Sequence, residues 1–171
     1  MAIKLIENAC SPFYLDMIKH VASNDDSWNF KYPIGKPLDE SHLKLDIIDN
    51  DDTKHPLLAG IAMGLLIQIY DKGGKDLFIP EIYFCGISIK DKHRKDNIHT
   101  DHNEQDNVIK ILGVVNSEWQ ESWGGGFTHG GETTYIPPTS FAIFDSTVPH
   151  AAADILTDKK RMAIDFTVRK K

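Results

Sequence analysis

Two histidines and an aspartate could hold one divalent metal ion in this chain. His99 and Asp101 are separated by one residue, and His150 follows an apolar stretch that ends in a turn at Pro149. On an extended segment alternate side chains point the same way, so His99 and Asp101 can converge on one ion without distorting the backbone. His150 is the candidate for the third ligand, provided that the fold returns it to this pair.

A fourth residue makes this set more specific. Two histidines and one carboxylate leave open positions on a six-coordinate metal, as in the non-haem Fe(II) centres. Arg161 begins a β-like segment downstream of His150 and can hold a carboxylate through two parallel hydrogen bonds, which lysine cannot reproduce. The four residues together predict a site for a dicarboxylate, chelated to the metal at one end. A surface arginine in the run Lys159-Lys160-Arg161 is the alternative, and eight histidines make a chance HxD match easy.

Composition indicates one soluble globular domain spanning residues 1–171. The chain is 41% hydrophobic and 26% charged, and its length fits a single core. The formal net charge of -6 argues against nucleic acid as the partner, because such binding depends on a basic surface that neutralises phosphates. A monomer or small homo-oligomer is the expected state.

The cysteines and the apolar segments favour a cytoplasmic protein without a membrane anchor. Cys10 and Cys85 form no CxxC pair, so reduced thiols are expected rather than a disulfide framework. The N-terminus lacks the apolar core of a signal peptide. The longest apolar run, residues 56–70, is shorter than the roughly 20 residues that a membrane span needs, so it predicts a buried helix.

Helices are predicted before residue 76 and strands after it. Ser11 and Pro12 suit a helix start, and apolar residues recur at helical spacing to about Ala22 and again from Leu57 to Ile69. Gly60 and Gly64 in the second helix are expected to allow close packing against a sheet. Short runs of β-branched and aromatic residues follow, at residues 77–90, 108–115, 133–135, 140–144 and 161–168.

The resulting fold class is α+β and mainly β. Residues 1–76 are expected to form a helical and loop buttress against one face of an antiparallel sandwich or barrel built by residues 77–171.

The order of these features resembles the 2-oxoglutarate/Fe(II)-dependent dioxygenases, in particular the prolyl 4-hydroxylase-like branch, from about residue 83 onward. The matching motifs, in order, are His99-Thr100-Asp101, Asn116 with Trp119, the turn Trp123-Gly124-Gly125-Gly126, Pro137-Pro138, Phe144-Asp145, His150 and Arg161. The resemblance implies a double-stranded β-helix, or jelly roll. It also implies that His99, Asp101 and His150 bind Fe(II) and that Arg161 binds the distal carboxylate of 2-oxoglutarate.

The activity implied is the oxidative decarboxylation of 2-oxoglutarate to succinate and CO2, coupled to hydroxylation of a C–H bond. O2 is the second co-substrate, and ascorbate is a candidate reductant; no catalytic side chain is expected beyond the metal ligands. A prolyl residue in a peptide or protein is the first expected substrate, and a free small molecule or an alkylated nucleobase is the alternative. A non-catalytic, cupin-like barrel that binds a metal or ligand is a further alternative, although it gives Arg161 no function.

The chain departs from the family pattern near the 2-oxoglutarate site. Relatives often place a tyrosine on a neighbouring strand, whereas Tyr83, Ser88 and Thr167 are the hydroxyl groups available here, and the sequence does not choose among them. Asp165 falls on the same strand face as Arg161. An ionised Asp165 would repel a bound dicarboxylate unless another group pairs with it.

A basic segment, residues 90–97, runs directly into the metal-ligand motif. Its residues Lys92, His93 and Arg94, together with Tyr32 from the N-terminal half, are the candidates for a substrate-binding rim. Such a run of charged residues is also typical of a solvated surface, and that is the simpler interpretation of this segment.

Overall fold

The computed structural model describes residues 2–31, 42–50, 52–102 and 106–171. Tyr32, a candidate rim residue, lies outside the described residues. The described chain contains the helices α1 Pro12–Ser23 and α2 Pro56–Ile69. Its strands are β1 Lys4–Ile6, β2 Asn29–Lys31, β3 His42–Asp49, β4 Asp52–Thr53, β5 Phe78–Lys90, β6 Val108–Val114, β7 Phe127–His129, β8 Glu132–Thr134, β9 Phe141–Phe144, β10 His150–Ala152 and β11 Arg161–Lys170.

The strands form two antiparallel sheets that face each other. The large sheet has the order β1-β9-β6-β11-β5-β3-β2, with β4 paired to β3, and the small sheet has the order β10-β7-β8. Phe127 of the small sheet packs on Phe144 of the large one, with 4.5 Å between ring centroids. The predicted mainly β jelly-roll architecture is confirmed.

Both helices pack on the outer face of the large sheet, as the apolar spacing predicts. Ser11 caps α1, because its hydroxyl accepts a hydrogen bond from the Tyr14 amide, and Pro12 occupies the first turn. Leu15 of α1 and Leu65 of α2 are fully buried in one core with Phe166 of β11. No helix in the described ranges is long and apolar enough to cross a membrane.

The N-terminal segment supplies strands as well as helices. Strand β1 pairs with β9 at one end of the large sheet, and β3 pairs with β5 and β2 at the other, so both ends of this sheet come from the first 76 residues. The helical buttress and the β core are therefore interleaved in sequence, since strands β1 to β4 alternate with the two helices.

Strand β11 positions chemical groups on one face and core residues on the other. Ile164 and Phe166 point into the helical side, whereas Arg161, Ala163 and Asp165 line the space between the sheets. This is the alternation expected of a strand in the middle of a sheet, and β5 and β6 pair with β11 on either side. Two residues that carry charge are thereby held inside the sandwich.

The two glycines of α2 have different surroundings. An ideal Cβ on Gly64 would lie 2.4 Å from the Tyr14 hydroxyl of α1, whereas one on Gly60 would meet nothing within 4 Å. The expectation that both glycines serve packing on a sheet is wrong. Gly64 instead allows α1 to approach α2, where the Tyr14 hydroxyl donates a hydrogen bond to the Ile61 carbonyl at 2.8 Å.

Replacing each glycine by alanine should therefore have opposite effects on stability. Gly60→Ala should raise the free energy of unfolding by about 0.5–1 kcal/mol, because alanine favours a helix interior. Gly64→Ala should lower it by about 1–2 kcal/mol, because the methyl group displaces Tyr14 and its hydrogen bond. Urea unfolding of both variants measures the difference, and equal stabilities would contradict the assigned contact.

Candidate active site

A cavity of about 440 Å³ opens between the two sheets. Its walls come from β3, β5, β6, β9 and β11 of the large sheet, from β7 and β10 of the small sheet, and from the segment before His99. His99, Asp101, His150 and Arg161 all line it. The fold thus brings together the four residues that the sequence singled out.

Backbone pairing positions the first three of these residues. His99 and His150 form an isolated antiparallel bridge, in which each amide donates to the other residue's carbonyl, at 3.0 and 2.8 Å. The Asp101 amide donates to the Ser146 carbonyl at 3.1 Å. One ligand atom from each of the three side chains lies within 4.8 Å of the others, which is the spacing of a candidate metal site.

The two imidazoles are held with one nitrogen free for a cation. The Nδ1 atoms of His99 and His150 each lie 2.8 Å from a backbone carbonyl, of Asn97 and Val148 respectively. A carbonyl only accepts, so each Nδ1 carries the hydrogen and each neutral ring keeps its lone pair on Nε2.

These lone pairs face the carboxylate of Asp101. The Nε2 atoms of His99 and His150 lie 3.3 Å from Oδ1 and 3.5 Å from Oδ2 of Asp101. Such a contact is unfavourable unless a positive charge lies between the groups. A proton can supply that charge, and the hydrogen bond to Asp101 accordingly raises the pKa of His99. A divalent metal satisfies all three groups at once, so the donor set fits Fe(II).

Lys110 is a member of the site that the sequence analysis missed. Its Nζ lies 2.9 Å from Asp101 Oδ2 and 3.0 Å from Asp165 Oδ2, and its side chain is 13% exposed. Burial alone would raise the pKa of Asp101, but hydrogen bonds from His150 and His99 in their protonated forms, and from Lys110, hold it well below its usual range. Lys110 pairs with Asp165, so its positive charge compensates the repulsion that an ionised Asp165 would exert on a bound dicarboxylate.

The signal for Lys110 is present in the sequence only as an exception to a pattern. Lys110 and Leu112 lie two residues apart on the apolar strand β6, so their side chains point to the same face, and both line the cavity. Lys110 is therefore a charged residue at an inward-facing position. A buried lysine requires a partner of opposite charge. The fold decides that the partners of Lys110 are Asp101 and Asp165 of β11.

Arg161 lines the cavity and is buried, with 5% of its surface exposed. Its Nη1 donates to the carbonyl of Gly125, and its Nε is buried without a hydrogen-bond partner among the described residues. Burial lowers the pKa of the guanidinium to about 10, so it remains cationic at neutral pH. A buried donor that lacks an acceptor is costly, and a ligand carboxylate in the cavity would satisfy it.

The glycine turn and the Asn116 motif build the surroundings of Arg161. Gly125 has φ +73°, and an ideal Cβ there would lie 3.1 Å from Arg161 Cδ, so both the backbone and the space require glycine. The side chain of Asn116 accepts a hydrogen bond from the Met162 amide at 2.6 Å, and Trp119 Nε1 donates to the Gly124 carbonyl at 3.1 Å. These motif residues therefore hold the start of β11 in place.

The structure also sorts the remaining candidates. Ser88 and Asp165 line the cavity, whereas Tyr83 and Thr167 do not. The Tyr83 carbonyl instead accepts the Asn50 amide at 2.9 Å, and Thr167 lies further along β11 than Asp165. Ser88 is thus the only one of the three hydroxyl candidates at the cavity wall.

The rim candidates divide in the same way. Arg94 lines the cavity and binds Asp96 through Nε at 2.7 Å and Nη2 at 2.6 Å. Lys92 and His93 do not line it, and Lys92 pairs with Asp158. Most of the basic segment is therefore engaged in ion pairs at the edge of the cavity.

No protein-family model and no curated protein sequence matches the chain. Solved structures do match over nearly its whole length. A prolyl-4-hydroxylase from Pseudomonas putida is 13% identical, with a TM-score of 0.66 over 98% of this chain and 92% of that one. A 2OG-Fe(II) oxygenase family oxidoreductase from Burkholderia pseudomallei is 14% identical, with a TM-score of 0.71 over 98% and 85%. This chain has the 2OG-Fe(II) oxygenase fold.

A third structure with this oxygenase fold contains ligands. HygX from Streptomyces hygroscopicus, with nickel, 2-oxoglutarate and hygromycin B bound, is 10% identical, with a TM-score of 0.68 over 96% of this chain and 81% of that one. The three identities are low, so the similarity establishes the shared oxygenase fold, and the chemistry has to be argued from the residues of the cavity.

Removing the Lys110 charge should destabilise the metal-free protein. Lys110→Met leaves two carboxylates in a partly buried site without their cation, so we expect the free energy of unfolding to fall by about 3 kcal/mol. The double variant Lys110→Met/Asp165→Asn should be less destabilised than the sum of its single variants, because only one carboxylate then lacks a partner. Urea unfolding in the presence of a chelator measures these values. Strict additivity would contradict the pairing of Lys110 with Asp165.

The Asp96 ion pairs should make stability depend on pH. Burial alone would raise the pKa of Asp96, but Arg94 and Lys90 lower it below its value in the unfolded chain. A carboxylate with a lowered folded pKa stabilises the protein above its unfolded pKa and loses that contribution as the pH falls through the folded pKa. Asp96→Asn should thus be most destabilising above about pH 5, and its effect should shrink steadily as the pH falls below about 4, the ordinary pKa of an aspartate, in urea unfolding. A difference independent of pH would contradict this assignment.

Proposed function

We propose that this protein is an Fe(II)- and 2-oxoglutarate-dependent oxygenase. The observation that carries this proposal is that one cavity contains both a His99–Asp101–His150 donor set and the buried guanidinium of Arg161. A metal site alone would suit a cupin-like binding barrel as well. An arginine with an unsatisfied buried Nε in the same cavity calls for an anionic ligand, and a chelating dicarboxylate satisfies the metal and the arginine together.

In this proposal the chain's own residues bind and orient the reactants. His99, Asp101 and His150 hold Fe(II), and Arg161 holds the distal carboxylate of 2-oxoglutarate, with Ser88 as the hydroxyl candidate at the cavity wall. The bound metal, with 2-oxoglutarate and O2, supplies the oxidising chemistry that hydroxylates a C–H bond and releases succinate and CO2. No side chain has to act as a general base.

The other cavity residues keep this arrangement in place. Lys110 engages Oδ2 of Asp101 and leaves Oδ1 directed towards His99 Nε2. The rings of Phe127 and Phe144 lie 5.7 and 5.2 Å from the ring of His150, so they limit its rotation and exclude water from that side. Asp165, paired with Lys110, adds no uncompensated negative charge beside the dicarboxylate.

Two classes of substrate are proposed. A prolyl residue in a peptide or protein is the first candidate, supported by the motif order and by the similarity to the Pseudomonas putida prolyl-4-hydroxylase. A free small molecule is the second, supported by HygX, whose structure contains hygromycin B. An alkylated nucleobase is disfavoured by the net charge of -6.

Anaerobic titration with Fe(II) and 2-oxoglutarate tests the proposal directly. We expect a weak visible charge-transfer band from the chelated complex, and succinate when O2 is admitted. Arg161→Ala should raise the Kd for 2-oxoglutarate roughly a hundredfold, because a charge-assisted bidentate contact is lost. Its affinity for Mn(II), measured by electron paramagnetic resonance, should be unchanged.

Arg169→Ala is the matched control. Arg169 lies on the same strand but pairs with the exposed carboxylate of Glu81 at 3.3 Å, outside the cavity. It should bind 2-oxoglutarate as the wild type does. Absence of both the band and succinate would refute the oxygenase proposal, and unchanged binding in Arg161→Ala would refute the role of Arg161 alone.

A further inference from the structure

Another basic residue of the large sheet, Lys44, faces the cavity that contains Arg161. Lys44 lies on β3, directly opposite Ser88 of β5 in the strand register, and both side chains line the cavity. The side chain of Lys44 is 21% exposed, and its Nζ lies 4.2 Å from the centroid of the Phe84 ring. The Phe84 ring thus holds the ammonium of Lys44 by a cation–π contact.

The other basic residues of the cavity wall have carboxylate partners, with the exception of Arg161. Lys90 and Arg94 share Asp96, at 2.6 Å each, and Lys95 pairs with Asp154. Lys110 is bound by two carboxylates. These ion pairs compensate the charges of the basic residues that they contain, so the basic segment before His99 provides no free cation for an anion to bind.

Lys44 has a much weaker partner. Within the described part of the chain, the carboxylate oxygen that it approaches is Oδ1 of Asp46, at 3.7 Å, which is beyond hydrogen-bond distance. An ammonium group has three N–H donors to satisfy, and a cation–π contact uses none of them as a hydrogen bond. Lys44 thus retains the capacity to bind an anion that enters the cavity.

The total charge of the wall also favours an anion. Six lysine and arginine side chains line the cavity but only three aspartates do. The chain as a whole has a formal net charge of -6, so the cavity has the opposite sign to the protein. Binding of Fe(II) and a dicarboxylate would leave this excess unchanged, because their charges cancel. The cavity field therefore attracts a further anion.

We propose that the substrate carries a carboxylate and that Lys44 binds it. This inference rests on the proposed oxygenase function, in which Arg161 is occupied by 2-oxoglutarate. Lys44 and Arg161 lie on strands that flank β5, opposite Ser88 and Lys90 respectively. The two anions would consequently be held side by side along the large sheet, one on each side of β5.

A direct test follows the Lys44 side chain by NMR. The protein is labelled with ¹³C at the lysine Cε, loaded with Zn(II) and saturated with 2-oxoglutarate, and the Lys44 signal is assigned by its loss in Lys44→Arg. Titration with propionate should shift this signal saturably, whereas propionamide, which has the same shape without the charge, should not. No shift with propionate, or equal shifts with both, would overturn the proposal.

Matched acid and amide probes then identify the source of the carboxylate. One pair is a proline-containing peptide with glutamate or glutamine beside the proline, and the other is free proline with prolinamide. Calorimetry on the Zn(II)/2-oxoglutarate complex should show that the acid of at least one pair binds about tenfold more tightly than its amide. A preference in the peptide pair assigns a peptide substrate, and one in the free pair assigns a small acid.

Three variants make this comparison specific to Lys44. Lys44→Met should abolish the preference for the acid, and Lys44→Arg should retain it. Lys75→Met removes the same charge from an exposed residue paired with Asp71, outside the cavity, and should leave the preference intact. A preference that persists in Lys44→Met, or none in either pair, contradicts the proposal.

The two proposals fail in distinguishable ways. If Fe(II) and 2-oxoglutarate give no charge-transfer band and no succinate, but propionate still shifts the Lys44 signal, the oxygenase function is wrong and the anion site stands. If the band and succinate form but Lys44 does not respond to propionate, the oxygenase function stands and Lys44 is not a carboxylate anchor.

Discussion

The carboxylate of Asp101 is the charge on which the cavity depends. It meets the Nε2 atoms of two histidines and the ammonium of Lys110, which also binds Asp165. Burying a charge is costly unless it is paired, so negative and positive groups must alternate through this wall. The His99–Asp101–His150 donor set and the inward Asp165 are consequently parts of one electrostatic arrangement.

Strand β11 connects that arrangement to the rest of the molecule. Its two faces separate the helical core from the cavity, and its pairing with β5 and β6 sets the depth at which Arg161 and Asp165 lie. The start of the strand is held by Asn116, and the carbonyl of Gly125 receives the Arg161 guanidinium. Asn116 and the glycine turn therefore act by positioning Arg161. Fold similarity persists at 10–14% identity because sheet pairing depends on alternation of residue type more than on identity.

Charge is distributed unevenly around the cavity, and this bears on selectivity. Rim cations are neutralised by ion pairs to Asp96, Asp154 and Asp158, so they tie loops together. Arg161 and Lys44 are the wall cations without a carboxylate within hydrogen-bond distance in the described ranges, and they lie apart on the same sheet. Under the proposed function, such a site would distinguish ligands by where their negative charges fall, since a misplaced charge leaves the Nε of Arg161 or the ammonium of Lys44 without an acceptor.

The sequence by itself determined the helix starts, five of the eleven described strands (β5, β6, β8, β9 and β11), the outward and inward faces of β11, and the grouping of His99 with Asp101. Each of these depends on neighbours within a few residues, through alternation, helical spacing or capping. Only the tertiary structure decided that Lys110 pairs with Asp165, that Ser88 rather than Tyr83 or Thr167 reaches the cavity, and that Lys44 faces it while Lys92 does not. Strand register and sheet order bring together residues remote in sequence, and one residue of register reverses which side chains share a face.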